Sequence, residues 1–371
     1  MIMKVVIKNG RLIDGNLIDV EIEEDKILRV SENIEDLERK KVVDLKGEKY
    51  ISSGWIDMHT HCFNKFKLYS DDADEIGYKK GVTVVVDAGT AGADTIEEFY
   101  NQSKGVKTRV FAFINIARQG IKSQDELSNL DNLKVDLLMN AVEKYKEFIV
   151  GVKARISKTV IGNNGLTPLK IAKKASEETG LPLMVHIGSE PPTLKEIFDE
   201  LKEGNIVSHI FNGKANGILK DENSIKEEAI KAYEKGVYFD IAHGKDSFNF
   251  NVAETARTNG IKCYSISTDI YQRNRLHGPV FDLATTMTKA LIIGYEKEEV
   301  VEMVTKNPAE ILGLKGFGEL KEGFVSDITI FDIVKGEKEL VDSNGNKRIA
   351  LEYFKPLAVI LKGEYIEIDK E

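Results

Sequence analysis

Gly54-Trp55-Ile56-Asp57-Met58-His59-Thr60-His61 is an apolar run, long enough for one strand, that stops on two histidines two residues apart. Alternate side chains of a strand share a face, so both imidazoles can turn to the same side and bind one ion. Taken alone, the pair is equally compatible with two polar residues solvating a loop. What decides the fold is repetition. Downstream, apolar runs that read as strands end near Asp87, Asn115, Lys153, His186, His209, Ile241 and Thr268, and the run at His59 brings the set to eight. Helix punctuation separates several of them: Thr167-Pro168 opens a helical stretch closed by Gly180, and Ser224 with Glu227 reads as a capping box. Eight strand–helix units in succession predict a parallel (β/α)8 TIM-like barrel whose strand ends converge on one rim. An open doubly wound sheet is the alternative. It supplies no reason for histidines at the ends of three or more separate strands.

Outward from the barrel, both ends of the chain change character. Residues 5–8, 11–13, 19–23, 27–30 and 42–45 alternate or run apolar between turn residues, as do residues 326–332, 347–352, 357–361 and 365–368. Ser343-Asn344-Gly345-Asn346 reads as a hairpin turn. Neither end carries enough apolar area for a core of its own, so the two are expected to meet as one small β-sandwich. The predicted division is a composite β-domain of residues 1–52 and 315–371 around a barrel of residues 53–314.

Composition narrows the function. Lys and Arg number 52 against 61 Asp and Glu, a net charge of −9 that gives no support to a nucleic-acid or anionic-membrane partner. A small-molecule substrate is expected, and self-association into a homo-oligomer is left open. No glycine-rich dinucleotide fingerprint or phosphate loop follows any strand, which removes hydride and phosphoryl transfer. Cys62 and Cys263 are too few for a disulfide framework and fit a reducing compartment. Lys4 and Lys8 interrupt the apolar stretch at the N-terminus, as a signal peptide would not, and no segment is apolar for long enough to span a bilayer. A cytoplasmic location is expected.

The chemistry lies in the strand ends. His59, His61, His186 and His209, joined by Asp269 at the end of the last run, offer imidazole nitrogens and a hard oxygen, a donor set suited to Zn2+ or a similar divalent ion. Any one of these histidines alone reads as a satisfied polar residue; four in register with a terminal carboxylate do not. Lys153 ends the run Phe148-Ile149-Val150-Gly151-Val152. The plain reading is an ion pair; the sharper one is an amine, lowered in pKa by burial, that takes up CO2 as a carbamate whose two oxygens bridge two ions. Arg155, two residues on, can clamp a substrate carboxylate through both arms of its fork. His243, Asn212 and Lys214 are further candidates for substrate contact.

Wider matches make the pattern specific. Asp44, Gly47 and the run Ile51-Ser52-Ser53-Gly54-Trp55-Ile56-Asp57-Met58-His59-Thr60-His61 resemble the opening signature of the amidohydrolase superfamily. Asn307-Pro308-Ala309-Glu310-Ile311-Leu312-Gly313, followed by Gly318-Glu319-Leu320-Lys321-Glu322-Gly323, resembles its closing one. Val152-Lys153-Ala154-Arg155, Phe211-Asn212-Gly213-Lys214 and Asp240-Ile241-Ala242-His243-Gly244 are most similar to the carboxylated-lysine branch, in the deacetylase subgroup labelled dihydroorotase-like. The resemblance implies His59 and His61 on the more buried of two ions, His186 and His209 on the more exposed one, carboxylated Lys153 between them, and Asp269 touching the buried ion as general acid and base. It implies hydrolysis of an amide or ester by a hydroxide bridging the two ions. Dihydroorotases carry an arginine two residues past the second histidine; here that residue is Phe63. The expected substrate is therefore an open-chain acylated acid, an N-acetyl amino acid or an acetylated hydroxy acid, held through its carboxylate by Arg155. The competing readings are a cyclic amidohydrolase, an adenine-type deaminase, and an inactive barrel serving as a binding scaffold.

Overall fold

The computed structural model describes residues 4–38 and 40–369, so residues 1–3, where the reading of the N-terminal stretch begins, lie outside it. Among the described residues, seven parallel strands follow one another in chain order around a curled sheet: Trp55–Thr60, Val82–Gly92, Arg109–Asn115, Ile149–Ile156, Leu183–Ile187, Ile206–Ser208 and Tyr238–Asp240. Helices such as Ile96–Ser103, Val135–Lys144 and Thr167–Thr179 cover its outside. Pro168 stands in the first turn of the last of these and Gly180 closes it at φ 70°, as the punctuation predicts. The capping box at Ser224 does not form. The helix begins at Glu227 after Lys226, while the Ser224 hydroxyl donates to Asp221 Oδ2 at 2.6 Å in a short antiparallel pair.

The run expected as the eighth strand is not a regular strand, yet it closes the barrel. Ile241 N donates to Ser265 O at 3.2 Å and His243 N to Ser267 O at 3.1 Å, while Asp269 N donates to His59 O at 2.7 Å on the other side. Two buried carboxylates explain the irregularity. Asp240 accepts the hydroxyls of Ser265 and Ser267 at 2.8 and 2.6 Å, and Asp57 accepts both the hydroxyl and the N–H of Thr268. Side-chain hydrogen bonds replace ladder bonds along this segment. Burial, opposed by those hydrogen bonds, pushes both carboxyls up to about 7.

Both chain ends build a second sheet, in the order Glu364–Glu367, Lys347–Leu361, Ile328–Val341, Tyr50–Ser53, Lys4–Arg11, Leu17–Glu23 and Lys26–Ser31, with Lys40–Asp44 beside Lys4–Arg11. Ile51 lies opposite Ile330 across the two ends, and Val5, Ile7, Val20, Ile22 and Ile360 join them in one apolar cluster. Residues 347–352 and 357–361, read as two strands, are one strand of 15 residues, paired with a 14-residue partner. This hairpin outruns its sheet, and its turn at residues 342–346 comes to rest on the barrel. Among the described residues, no helix is long and apolar enough to cross a membrane.

Candidate active site

Ile56 and Met58 pack into the apolar cluster inside the barrel, so strict alternation would send His59 and His61 outward. A shift in strand register between Asp57 and Thr60 resets the phase and turns both rings to the mouth. A different device acts on the sixth and eighth runs. Ser208 already occupies the inward position, and left-handed backbone at His209 (φ 67°) and Asp269 (φ 50°) brings those side chains to the same centre. Such backbone is costly for a residue with a Cβ and persists where the surroundings impose it.

The centre is closely drawn. Asp269 Oδ1 lies 3.0 Å from His61 Nε2 and 3.5 Å from His59 Nε2. Lys153 Nζ lies 3.2 Å from His59 Nε2 and 3.1 Å from Met184 Sδ. The His186 and His209 rings meet edge to face, 4.3 Å between centroids. Three rings are fixed from behind through Nδ1: His61 by Thr90 Oγ1 at 2.7 Å, His59 by Ser208 Oγ at 3.2 Å and His209 by the Ala242 carbonyl at 2.6 Å. A carbonyl only accepts, so His209 Nδ1 donates and its Nε2 presents a lone pair. That Nε2 is buried and, among the described residues, has no partner.

Electrostatics follow from burial. Desolvation holds the His59 and His186 rings well below their ordinary range and His209 near 4, so all three are neutral donors at pH 7. Lys153 is 1% exposed, and burial lowers its amine to about 7. Burial opposes ionisation of Asp269 too, but the hydrogen bond with His61, with His209 and the Lys153 amine close by, outweighs it and keeps the carboxyl below its usual value. Glycine is required twice here. A Cβ on Gly89 would fall 2.7 Å from Lys153 Cβ, and one on Gly244 would fall 2.5 Å from Asp269 Oδ2. The imidazoles of four histidines, one of them with an orphaned lone pair at His209 Nε2, and a carboxylate form a donor set that fits divalent ions; ligand atoms of His59, His61 and Asp269 already lie within 4.8 Å of one another.

Above this floor stands a cavity of about 300 Å³ walled by Tyr69, Arg155, Lys214, Lys245 and Tyr271. The bidentate clamp expected of Arg155 is already closed, on Glu126: Nε and Nη2 reach its two carboxylate oxygens at 2.6 and 2.5 Å. At 6% exposure the guanidinium sits where a charge requires a partner, and the protein itself provides one. His243 is not in the wall. It is fully buried, with Nδ1 2.8 Å from Gly244 O and Nε2 2.7 Å from Lys289 Nζ, so both nitrogens are committed. Asn212 is also removed from the cavity; it donates to His209 O at 2.8 Å and accepts Lys214 N at 3.1 Å, tying a turn. Lys214 does line the cavity. Sequence reasoning missed Thr90, Ser208, Glu126, Tyr69, Tyr271 and Lys245. Ser208 alone carried a signal, as the polar neighbour of a strand-end histidine.

Comparison with known proteins agrees with this geometry. The family described as a deacetylase-like composite domain matches residues 320–366. A deacetylase of Enterococcus faecalis is 50% identical over 362 residues, 97% of this chain and 98% of that protein. A solved structure described as an adenine deaminase superposes with a TM-score of 0.97 at 49% identity, covering 98% of this chain and 100% of the other. One described as a dihydroorotase gives 0.89 at 32%, covering 98% and 97%.

Proposed function

The chain belongs to the amidohydrolase superfamily, in its dihydroorotase-like subgroup, and from that membership we propose hydrolytic deacetylation of a small acylated acid as its reaction. It is a metal-dependent hydrolase; the acids proposed are N-acetyl amino acids and acetylated hydroxy acids. The observation that carries the metal reading is the orphaned Nε2 of His209 beside the amine of Lys153, which among the described residues has no carboxylate bonded to it. His59, His61, His186, His209 and Asp269 would hold two divalent ions, Zn2+ by donor type, and Lys153 as a carbamate would add its oxygens to the donor set. When bound, the ions would acidify a water and polarise the acyl carbonyl. Asp269 is the group placed to take the proton of the attacking water as its oxygen joins the acyl carbon, and to return it to the nitrogen or oxygen that leaves as the C–N or C–O bond breaks. Thr90, Ser208 and the Ala242 carbonyl keep the imidazoles in place throughout.

These groups belong to the barrel of residues 53–314, and the composite domain of residues 1–52 and 315–371 supports its rim. A cytoplasmic location is part of the same proposal. Phe63 favours an open-chain acid over dihydroorotate: it is buried against Phe66 and Phe99 and offers a substrate carboxylate nothing. The test is metal analysis with a screen of N-acetyl amino acids, acetylated hydroxy acids, adenine and dihydroorotate. About two divalent ions per chain and release of acetate are expected. Lys153→Ala should lose the ion pair and on the order of a thousandfold or more in turnover. Adenine or dihydroorotate turned over while every acetylated acid is untouched would overturn the substrate class; full metal content in Lys153→Ala would overturn the carbamate.

A further inference from the structure

With Arg155 committed to Glu126, the cavity wall still holds two lysines without a partner among the described residues. Among the described residues, neither the Lys214 nor the Lys245 ammonium has an ion pair or hydrogen bond, while both line the cavity. Asp246 is the opposing charge on the wall and is exposed. Lys214 is exposed as well, whereas Lys245 is half-buried, in the loop that follows Gly244, the residue packed on Asp269.

That loop is held from outside the barrel. Ser343, in the turn of the long terminal hairpin, accepts the N–H groups of Ser247 and Phe248 on its hydroxyl at 3.2 Å each, donates the same hydroxyl to Gly244 O at 3.2 Å, and sends its own N–H to Phe248 O at 2.9 Å. Asp342 Oδ2 caps the following helix at Phe250 N, 2.9 Å away. Lys289 Nζ ties the hairpin to the loop from beneath, donating to Val341 O and to His243 Nε2, each at 2.7 Å. Asn344 accepts from Asn249 at 2.9 Å and lies so close to Gly213 that a Cβ there would come within 2.6 Å of its oxygen. One turn therefore braces both lysine-bearing loops. A turn whose task was only to cover the sheet would have no need to reach the mouth.

We propose that Lys245, with Lys214 on the neighbouring loop, receives the substrate carboxylate, and that the hairpin turn at residues 342–346 is the positioning element that fixes where Lys245 stands. This rests on the acylated-acid reading above. It assigns the acid subsite to a loop set by the last tenth of the chain, with Arg155 serving as a structural wall.

The experiment compares an N-acetyl amino acid with its neutral carboxamide, which carries the same acyl bond, and reads the ratio of kcat/KM values in holoenzyme of measured metal content. Wild type should prefer the acid. Lys245→Met should shrink that preference by about tenfold to a hundredfold, the scale of a charge-assisted hydrogen bond, and Lys245→Arg should restore part of it. Ser343→Ala should raise KM for the acid more than it lowers kcat, and Ser343→Thr, which keeps the hydroxyl, should recover. A preference intact in metal-replete Lys245→Met overturns the assignment. Equal losses on acid and carboxamide in Ser343→Ala overturn the positioning role. If wild type deacetylates both equally, the carboxylate reading itself fails, and the subsite with it. Should Ser343→Ala not fold, the Lys245 pair still decides.

Discussion

The floor and the wall of the cavity are built on different principles. On the floor, the imidazoles sit at strand ends, and those of His61, His59 and His209 are fixed by an oxygen from a neighbouring strand or loop: Thr90, Ser208, the Ala242 carbonyl. On the wall, Lys214 and Lys245 ride on loops whose position depends on a hairpin turn about a hundred residues further along the chain. The floor is stiff because the barrel is stiff. The wall is adjustable in evolution, because a change in one turn moves the loops without disturbing a strand. On the proposed reading, chemistry and selectivity are thus anchored in separate parts of the fold.

Arg155 is where this contrast is easiest to break, since it lies on the wall yet is held like the floor. Arg155→Met should leave Glu126 buried without its partner and cost about 3–5 kcal/mol in urea unfolding, with Arg155→Met/Glu126→Leu recovering most of it. Unchanged stability together with a lost preference for acids would return Arg155 to substrate binding. The second test addresses the floor alone. In chelator-treated protein, His209 is held near 4 while the unfolded chain titrates near 6.5, so the unfolded state binds more protons between those values. Stability should be highest above pH 6.5 and fall by about 3 kcal/mol from this group as pH drops to 4. A urea midpoint flat across that window would mean the ring is not buried as described. The smallest effect sharpens the separation. Thr90→Val removes the oxygen behind His61 and should weaken metal binding about ten- to a hundredfold in a chelator competition, leaving the acid-to-carboxamide ratio alone.

Strand ends were readable because a parallel barrel brings them to one rim whatever the loops do. His59, His61, Lys153, His186, His209 and Asp269 converge in the structure for that reason. The way they converge was not readable: the register shift at Asp57 to Thr60 and the left-handed backbone at His209 and Asp269 leave no mark in periodicity. The irregular eighth run was hidden likewise, since Ser265, Ser267 and Thr268 look like ordinary strand residues until Asp240 and Asp57 are found opposite them. The partner of Arg155 was hidden for a physical reason. A buried guanidinium must be paired, but Glu126 lies in a loop with no pattern to link the two. His243 misled through its position at a strand end, where Lys289, on a helix 46 residues away, takes up the nitrogen a substrate would have used.

The sheet shared by the two chain ends sets a timetable for synthesis. Ile51 pairs with Ile330 in that sheet, so the early strand leaves the ribosome long before its partner exists. At about 5–20 residues per second, the early strands wait on the order of tens of seconds with an open edge, a span in which a chaperone has more to cover than in a barrel that begins with its own first strand. The turn that braces the mouth arrives after every strand of the barrel. A nascent chain can therefore assemble its histidine floor before that turn is made, and on the proposed reading it becomes selective only afterwards.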